Sequence, residues 1–167
     1  LVRRVAPDDI FLSFNPELAP WSILFDRGEA YEKLASPERS RVEHHLREIT
    51  VVLIKGLISD QLAFVGIAKH LFSIADLKFI LSRRIGRGKI GGKAAGMLLA
   101  WKILTLAAKE DESLAGAPLS ESMSTRDSVI LPESYFIGTD VFYDFMALNN
   151  LFHPVSYTHL RAHETKA

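Results

Sequence analysis

The sequence predicts a mostly helical fold with one or two short strands, and three observations carry that prediction. Apolar residues recur at helical spacing through much of the stretch from residue 36 to residue 85. A second strongly apolar run, from about Ala94 to Ala108, follows a glycine-rich loop and predicts another helix. The segments Val129–Leu131 and Tyr135–Ile137, on either side of Pro132, look extended.

The first long helix is predicted to begin at Ser36-Pro37-Glu38 and to run to about Leu57. A hydroxyl that can cap, a proline in the first turn and an acidic residue near the positive end of the helix dipole all favour a start there. The second half, from Val51, is apolar on nearly every side and should be buried. Before this helix, residues 1–35 carry prolines among scattered aromatic residues, which predicts only short helical turns.

Two shorter helices are predicted next. Ser59 and Asp60 are expected to cap a helix from about Gln61 to Leu71. Ser73 and Asp76 have the spacing of a capping box, with Asp in place of the usual Glu, and predict a third helix that ends near Arg84.

The C-terminal half contains a polar connection and a last helix. Residues 109–127 are rich in Ser, Glu and Asp and predict an exposed connection. Gly138-Thr139-Asp140 is expected to begin a helix from Val141 to about Leu148, with its aromatic residues packed inward.

Composition excludes several functional classes. The 20 basic and 20 acidic residues cancel, so no global field attracts nucleic acid or an anionic membrane, and charged ligands need a local site. The chain has no cysteine, which excludes disulfides and thiolate chemistry. Lys55 and Lys102 interrupt the longest apolar stretches, which are shorter than the roughly 20 residues of a membrane span. These features fit a cytoplasmic protein, and we expect that location.

Both ends of the chain are expected to be unnatural. The chain begins at Leu1, so the natural N-terminus is expected upstream, and residues from about Val155 resemble a translated sequencing adapter. We therefore exclude residues 155–167 from fold reasoning and expect the natural protein to continue beyond Pro154. Within that tail, His159 and His163 lie one helical turn apart, but the order of residues is wrong for a His-Glu-x-x-His zinc site, and we predict no metal there.

The most informative feature is the loop Gly86-Arg87-Gly88-Lys89-Ile90-Gly91-Gly92-Lys93, which opens a helix. Glycines let the backbone approach a ligand closely, so amides at the start of a helix can converge on phosphate oxygens. The Walker motif fails here, because Arg87 and Ala94 occupy positions that require glycine and Ser or Thr.

Two other interpretations of the loop compete. Gly86-x-Gly88-x-x-Gly91 satisfies the dinucleotide pattern, but that fingerprint needs a preceding strand, and the period before Gly86 is helical. The loop is also compatible with a simple turn between helices, in which Gly92 and Gly96 permit close packing and Lys93 is solvated.

Two ordered motifs resemble one family. Ile90-Gly91-Gly92-Lys93-Ala94-Ala95-Gly96 resembles the Gly-Gly-Lys signature at the start of the nucleotide-binding domain of pyruvate phosphate dikinase and phosphoenolpyruvate synthase. Residues 131–139, Leu-Pro-Glu-Ser-Tyr-Phe-Ile-Gly-Thr, resemble the Val-Pro-x-Gly-Phe-x-Ile-Thr strand of the same family. Ser134 departs from the usual glycine, and the connection from Lys109 to Asp127 is longer than is usual.

The resemblance implies a fold and a function. It implies the start of an α/β ATP-grasp-like domain over residues 89–154, incomplete here, preceded by a helical extension over residues 1–88. Lys93 would contact the phosphates of ATP, with Gly91 and Gly92 shaping the turn. Mg²⁺ is the expected cofactor beside ATP, and its ligands, an arginine clamp and a histidine carrier are expected outside this chain. The intact protein would pass a phosphoryl group through that histidine to pyruvate or a related acceptor, and this piece alone is expected to be inactive.

A second hypothesis comes from a different functional class. The helices over residues 37–84 would form an interaction or regulatory module through an exposed apolar face, and the glycine loop would bind no nucleotide. No histidine is assigned a catalytic role, since His44 and His45 lie on the charged part of a helix and His153 lacks the context of a phosphocarrier.

Overall fold

The computed structural model describes residues 15–114 and 132–152, and for residues 107–114 it describes the backbone alone. Its helices and strands, in chain order, are the 3₁₀ turn Pro16–Leu18, α1 (Trp21–Glu32), α2 (Ser36–Leu57), α3 (Leu62–Ala68), α4 (Ile74–Ser82), β1 (Arg84–Ile85), α5 (Gly92–Leu114), β2 (Phe136–Ile137) and α6 (Thr139–Leu148). The described residues are therefore mostly helical, as the sequence predicts.

The core lies where α1, α2 and α4 pack against one another. The second half of α2 faces the core, as predicted, and Lys55 alone among residues 51–58 stays exposed. Replacing a residue as buried as Leu53 by Ala lowers the unfolding free energy by about 2–5 kcal/mol. The best-buried side chains are Leu24, Ile49, Leu53, Ile54, Leu57, Ile74, Leu77 and Ile80.

The prediction that residues 1–35 contain only short turns is wrong where the structure describes them, because α1 spans 12 residues. Trp21, Leu24, Phe25, Gly28 and Tyr31 follow a helical period, and the prolines that suggested irregular structure all precede the helix. A Cβ atom at Gly28 would lie 2.7 Å from the Cδ1 atom of Ile74. Glycine at this position therefore lets α1 approach α4 closely.

The predicted helix caps are partly confirmed. Ser73 and Asp76 form the capping box, in which the Asp76 amide donates to Ser73 Oγ (3.2 Å) and the Ser73 amide donates to Asp76 Oδ2 (2.8 Å). Ser36 is not a cap, because α2 begins at Ser36 itself and Ala35 is its N-cap. At α3 the N-cap is Gln61, with no side-chain cap, and the helix ends at Ala68 rather than near Leu71.

The two strands pair in parallel across a long stretch of chain. Arg84 lies opposite Phe136 and Ile85 opposite Ile137, so α5 lies in the connection between the strands. The predicted extended segment near Phe136 is thus confirmed, whereas Val129–Leu131 lies outside the described residues. Residues 109–114 extend α5 instead of belonging to the polar connection, whose remainder is also outside the described part.

A single core cluster joins the two halves of the chain. Ile90, Ala95, Leu98 and Phe136 belong to the same buried cluster as the side chains of α1, α2 and α4. The amide of Ile90 also donates to the carbonyl of Leu57 at the end of α2 (2.9 Å). The glycine loop is therefore fixed directly to the helical core.

Candidate phosphate-binding site

The first half of the glycine loop already binds an anion, the side chain of Asp140. The amide of Arg87 donates to Asp140 Oδ2 (2.6 Å), and the amide of Gly88 donates to Asp140 Oδ1 (2.8 Å). These two hydrogen bonds, from Arg87 and then from Gly88, are the main causes that lower the pKa of Asp140 below its usual range. We call this arrangement the Asp140 clasp.

Close backbone contacts explain why the clasp contains glycines. A Cβ atom at Gly88 would lie 2.5 Å from Thr139 Oγ1 and 2.7 Å from the amide nitrogen of Asp140. Gly86 has a φ of +92°, a conformation that side-chain-bearing residues rarely adopt, and a Cβ there would also contact the Asp140 carboxylate. Both glycines are therefore required by the protein's own packing.

Arg84 contacts the clasp through the backbone of Gly88. Its Nη1 donates to the carbonyl of Gly88 (3.2 Å), and its guanidinium lies over the ring of Trp21, 5.0 Å from the ring centroid. Burial lowers the pKa of Arg84, and the negative charge of Asp140 opposes that shift. Trp21 on α1 and the loop are thus connected through one cation.

The dinucleotide pattern fails for a different reason than the sequence suggested. The expectation that no strand precedes Gly86 is wrong, because β1 ends at Ile85 and α5 follows the loop in a parallel strand–helix–strand unit. However, the Gly88 amide, which a pyrophosphate would need, is bonded to Asp140. A dinucleotide would have to displace that carboxylate, so the geometry does not support this interpretation.

The second half of the loop, Gly91 to Lys93, is open, and we call it the α5 start. The amide of Ala95 donates to the carbonyl of Gly91 (3.0 Å), which begins the helical hydrogen-bonding pattern. The amides of Gly92, Lys93 and Ala94 have no acceptor among the described residues. Amides of this kind, at the positive end of a helix dipole, are suited to bind an oxyanion.

The two glycines of the α5 start, and Gly96 in the next turn of the helix, have no structural role that the described residues reveal. A Cβ atom built at Gly91, Gly92 or Gly96 meets no described atom within 4 Å, and none of the three has a positive φ. The alternative in which Gly92 and Gly96 permit close packing of helices is therefore wrong for the part of the chain that the structure describes. The room above Gly91 and Gly92 is open for the approach of another group.

Lys93 is exposed at the mouth of α5, and its ammonium has no ion pair within the described residues. Lys89, four residues earlier, differs because its Nζ bonds to Asp60 Oδ2 (2.6 Å). The hydrogen bond from Lys89 is the main cause that lowers the pKa of Asp60 below its usual value. Of these two loop lysines, Lys93 is the one that remains available to a ligand.

The α5 start lies outside two grooves that the described residues form. Two open grooves on the described surface have volumes of about 310 Å³ and 560 Å³. The first lies beside α2, and the second lies between α4, α5 and the segment before β2. Gly91, Gly92 and Lys93 line neither of them.

Sequence reasoning missed Asp140 as a functional partner of the loop, since it assigned Gly138-Thr139-Asp140 only to a helix start. The helix does begin there, with Gly138 as its N-cap. The prediction of inward-packed aromatic residues is wrong, because Phe142, Tyr143 and Phe145 are more than half exposed while Met146 is buried. No local signal links Asp140 to a loop 52 residues earlier.

His44 and His45 lie on α2, in the helix that the sequence predicts for them. His44 is exposed, and His45 is half-buried beside Glu48, with 3.3 Å between Nδ1 and Oε2. Across residues 15–114 and 132–152, no group of three or more His, Cys, Asp or Glu side chains is placed to hold a metal ion. His153, His159 and His163 lie outside those ranges.

No known protein family, no characterised protein and no solved structure matches this chain. None of the helices that the structure describes is both long enough and apolar enough to cross a lipid bilayer.

Proposed function

We propose that this chain is the ATP-binding part of a phosphotransferase that resembles pyruvate phosphate dikinase and phosphoenolpyruvate synthase. The observation that supports the proposal is the α5 start, where, within residues 15–114 and 132–152, two glycines have no packing role, the amides have no acceptor and the lysine has no ion pair. Such a combination leaves room, dipole and charge for a phosphate group.

Each residue of the α5 start has a distinct role in this proposal. Gly91 and Gly92 let phosphate oxygens come close to the backbone, because no side chain shields the amides. Lys93 supplies the positive charge opposite the phosphates. A fixed cation and aligned amides stabilise the charge that a transferring phosphoryl group spreads over its oxygens, without reorganising during the reaction.

The Asp140 clasp limits where the phosphates can bind. A second carboxylate-like or phosphate anion at the amides of Arg87 and Gly88 would compete with a bound side chain. The triphosphate is therefore assigned to the α5 start and not to Gly86–Gly88. ATP-grasp-like architecture, the Mg²⁺ ligands, the histidine carrier and the pyruvate site remain parts of the proposal that the resemblance implies.

Nucleotide binding to the intact protein tests this proposal. Replacing Lys93 by Ala removes a cation that has no ion pair with any described residue, and it should weaken ATP binding about tenfold or more, since hydrogen bonds to charged groups contribute about 1.5–3 kcal/mol. Lys89→Ala is a matched control, because it removes the same charge from the same loop but from a lysine that is bonded to Asp60. Isothermal titration calorimetry with ATP and with adenosine measures both variants.

The comparison of ATP with adenosine measures how much the phosphates contribute to binding. ATP should bind more tightly than adenosine, and the difference should shrink in Lys93→Ala but persist in Lys89→Ala. Equal ATP affinity in the wild-type protein and in Lys93→Ala would contradict the proposed site. Absence of ATP binding would contradict the proposed function.

A second candidate function rests on the exposed face of α6. Phe142, Tyr143, Phe145 and Leu148 are 53%, 59%, 57% and 84% exposed, so four large hydrophobic side chains of one helix are open to a partner. In this alternative, the α6 face packs against another protein surface, a second copy of the chain included. Phe142→Ser with Phe145→Ser should then reduce self-association in sedimentation velocity while leaving ATP binding unchanged.

A further inference from the structure

The first of the two grooves described above lies between α2 and the turn that connects α3 to α4. Its volume is about 310 Å³, within the usual range of small-ligand sites. Arg39, Glu43 and Arg47 of α2 line one side, and residues 69–73 line the other. The groove is built entirely from the helical part of the chain.

The acidic side chains of this groove are already bonded. Glu43 Oε1 accepts from Arg47 Nη2 (2.9 Å), so this pair is locally neutral. Glu32 Oε1 accepts from the amide of Ile74 (3.0 Å) at the start of α4. Both carboxylates therefore have hydrogen-bond partners within the protein, and Glu43 is also paired with a cation.

Three basic side chains of the groove have no such partner within the described residues. Arg39, Lys69 and His70 line the groove, and none has an ion pair or a side-chain hydrogen bond within the described residues. Arg39 comes from α2, whereas Lys69 and His70 come from the turn after α3. Charges from two separate elements thus border one groove, where an anion could be bound from both sides.

The remaining lining of the groove is partly apolar. Leu46, Leu71 and Phe72 contribute to it beside the charged groups. The Thr50 hydroxyl donates to the carbonyl of Leu46 (2.8 Å) and so is not a free donor. This lining suits a ligand with a short carbon skeleton and an oxyanion at one end.

We propose that this groove binds a small organic oxyanion, a phosphate ester or a carboxylate, through Arg39, Lys69 and His70. The site is separate from the α5 start. Arg39 and Leu57, whose carbonyl holds the glycine loop, are about 27 Å apart along α2 at 1.5 Å per residue. The proposal therefore does not depend on nucleotide binding at Lys93.

Titration with inorganic phosphate and with succinate tests the groove. Calorimetry and thermal unfolding of the intact protein are measured at constant ionic strength, so that general screening is matched. Either anion should bind saturably and raise the unfolding temperature. Arg39→Ala and Lys69→Ala should each weaken that binding about tenfold.

Arg41→Ala is the matched control on the same helix. Arg41 is two residues from Arg39, about 200° around α2, and does not line the groove. This variant should bind the anion as the wild-type protein does. Lys69→Gln, which keeps most of the side chain, should reproduce the loss seen in Lys69→Ala, and far-ultraviolet circular dichroism confirms that each variant is folded.

Each outcome decides the proposal. Binding of phosphate alone indicates that the ligand is a phosphate ester, and binding of succinate alone indicates a carboxylate. Either result supports the site. Non-saturating shifts, or equal affinity in Arg39→Ala, Lys69→Ala and Arg41→Ala, overturn it. Phosphate binding that is lost in Lys93→Ala but kept in Arg39→Ala and Lys69→Ala assigns the anion to the α5 start and likewise overturns the groove.

Discussion

The two halves of the glycine loop have similar residues but opposite environments. In the first half, Gly86 and Gly88 are required by a positive φ and by contacts with Thr139 and Asp140, and the amides bind the protein's own carboxylate. In the second half, Gly91 and Gly92 meet no described atom, and the amides of Gly92, Lys93 and Ala94 have no acceptor in the described part of the chain. The same residue type therefore serves internal packing in one half and leaves a surface open in the other.

The largest effect that separates the two halves is expected at Gly88. Gly88→Ala places a Cβ atom 2.7 Å from a backbone nitrogen, which cannot move without shifting the start of α6. We expect a loss of about 2 kcal/mol in unfolding free energy, as for other overpacked sites. Chemical denaturation measures it, and a Gly88→Ala protein as stable as wild type would show that the clasp is not tightly packed.

The charge of the clasp is tested through Asp140. Its pKa is lowered by the amides of Arg87 and Gly88, so the carboxylate stabilises the fold above its ordinary pKa of 3.8, and this contribution is lost as pH falls through the folded-state value. Asp140→Asn should therefore be less stable than wild type at pH 7. The difference should shrink below pH 3.8, and thermal unfolding across that range measures it.

If the difference between wild type and Asp140→Asn stayed constant with pH, charge would not be the cause. Asp144→Asn is a suitable control, because Asp144 lies on the same helix, is exposed and does not bond to the loop. The stability of Asp144→Asn at pH 7 should match that of the wild-type protein.

The smallest effect on stability is expected at Gly92, and it should have the opposite sign. Gly92→Ala fits open space and removes the entropy cost of a helical glycine, so unfolding free energy should rise by about 0.4–1 kcal/mol. If phosphates approach this position, ATP binding should weaken at the same time. If Gly92→Ala is more stable and binds ATP normally, the two halves of the loop differ in packing as described. That result would contradict the close approach of phosphates to Gly92.

Local patterns predicted much of the helical fold. The Ser73 and Asp76 capping box is visible in four consecutive residues, and the apolar second half of α2 follows directly from its composition. α1 was missed because prolines before Trp21 were given more weight than the period that follows them. Capping by Ser36 was wrong because the helix begins one residue earlier than a capping role requires.

The candidate site was less accessible to sequence reasoning. Gly91, Gly92 and Lys93 could be selected from their types and order, and the structure then shows that they are open. The clasp could not be found in this way, because Asp140 reaches Gly88 only through the parallel pairing of β1 with β2. The exposed aromatic residues of α6 were likewise unpredictable, since an apolar pattern does not say what covers it.

The clasp also has a consequence for the order of folding. It joins residues 52 positions apart through strands of only two residues each, whereas α1 and α2, which pack together in the core, are consecutive helices. Closing such a loop is entropically costly and slow compared with forming local helix contacts. We therefore expect the pair of helices α1 and α2 to form before the clasp, and the clasp to open before that pair separates. In native-state hydrogen exchange, the amides of Arg87 and Gly88 should exchange before those of α2.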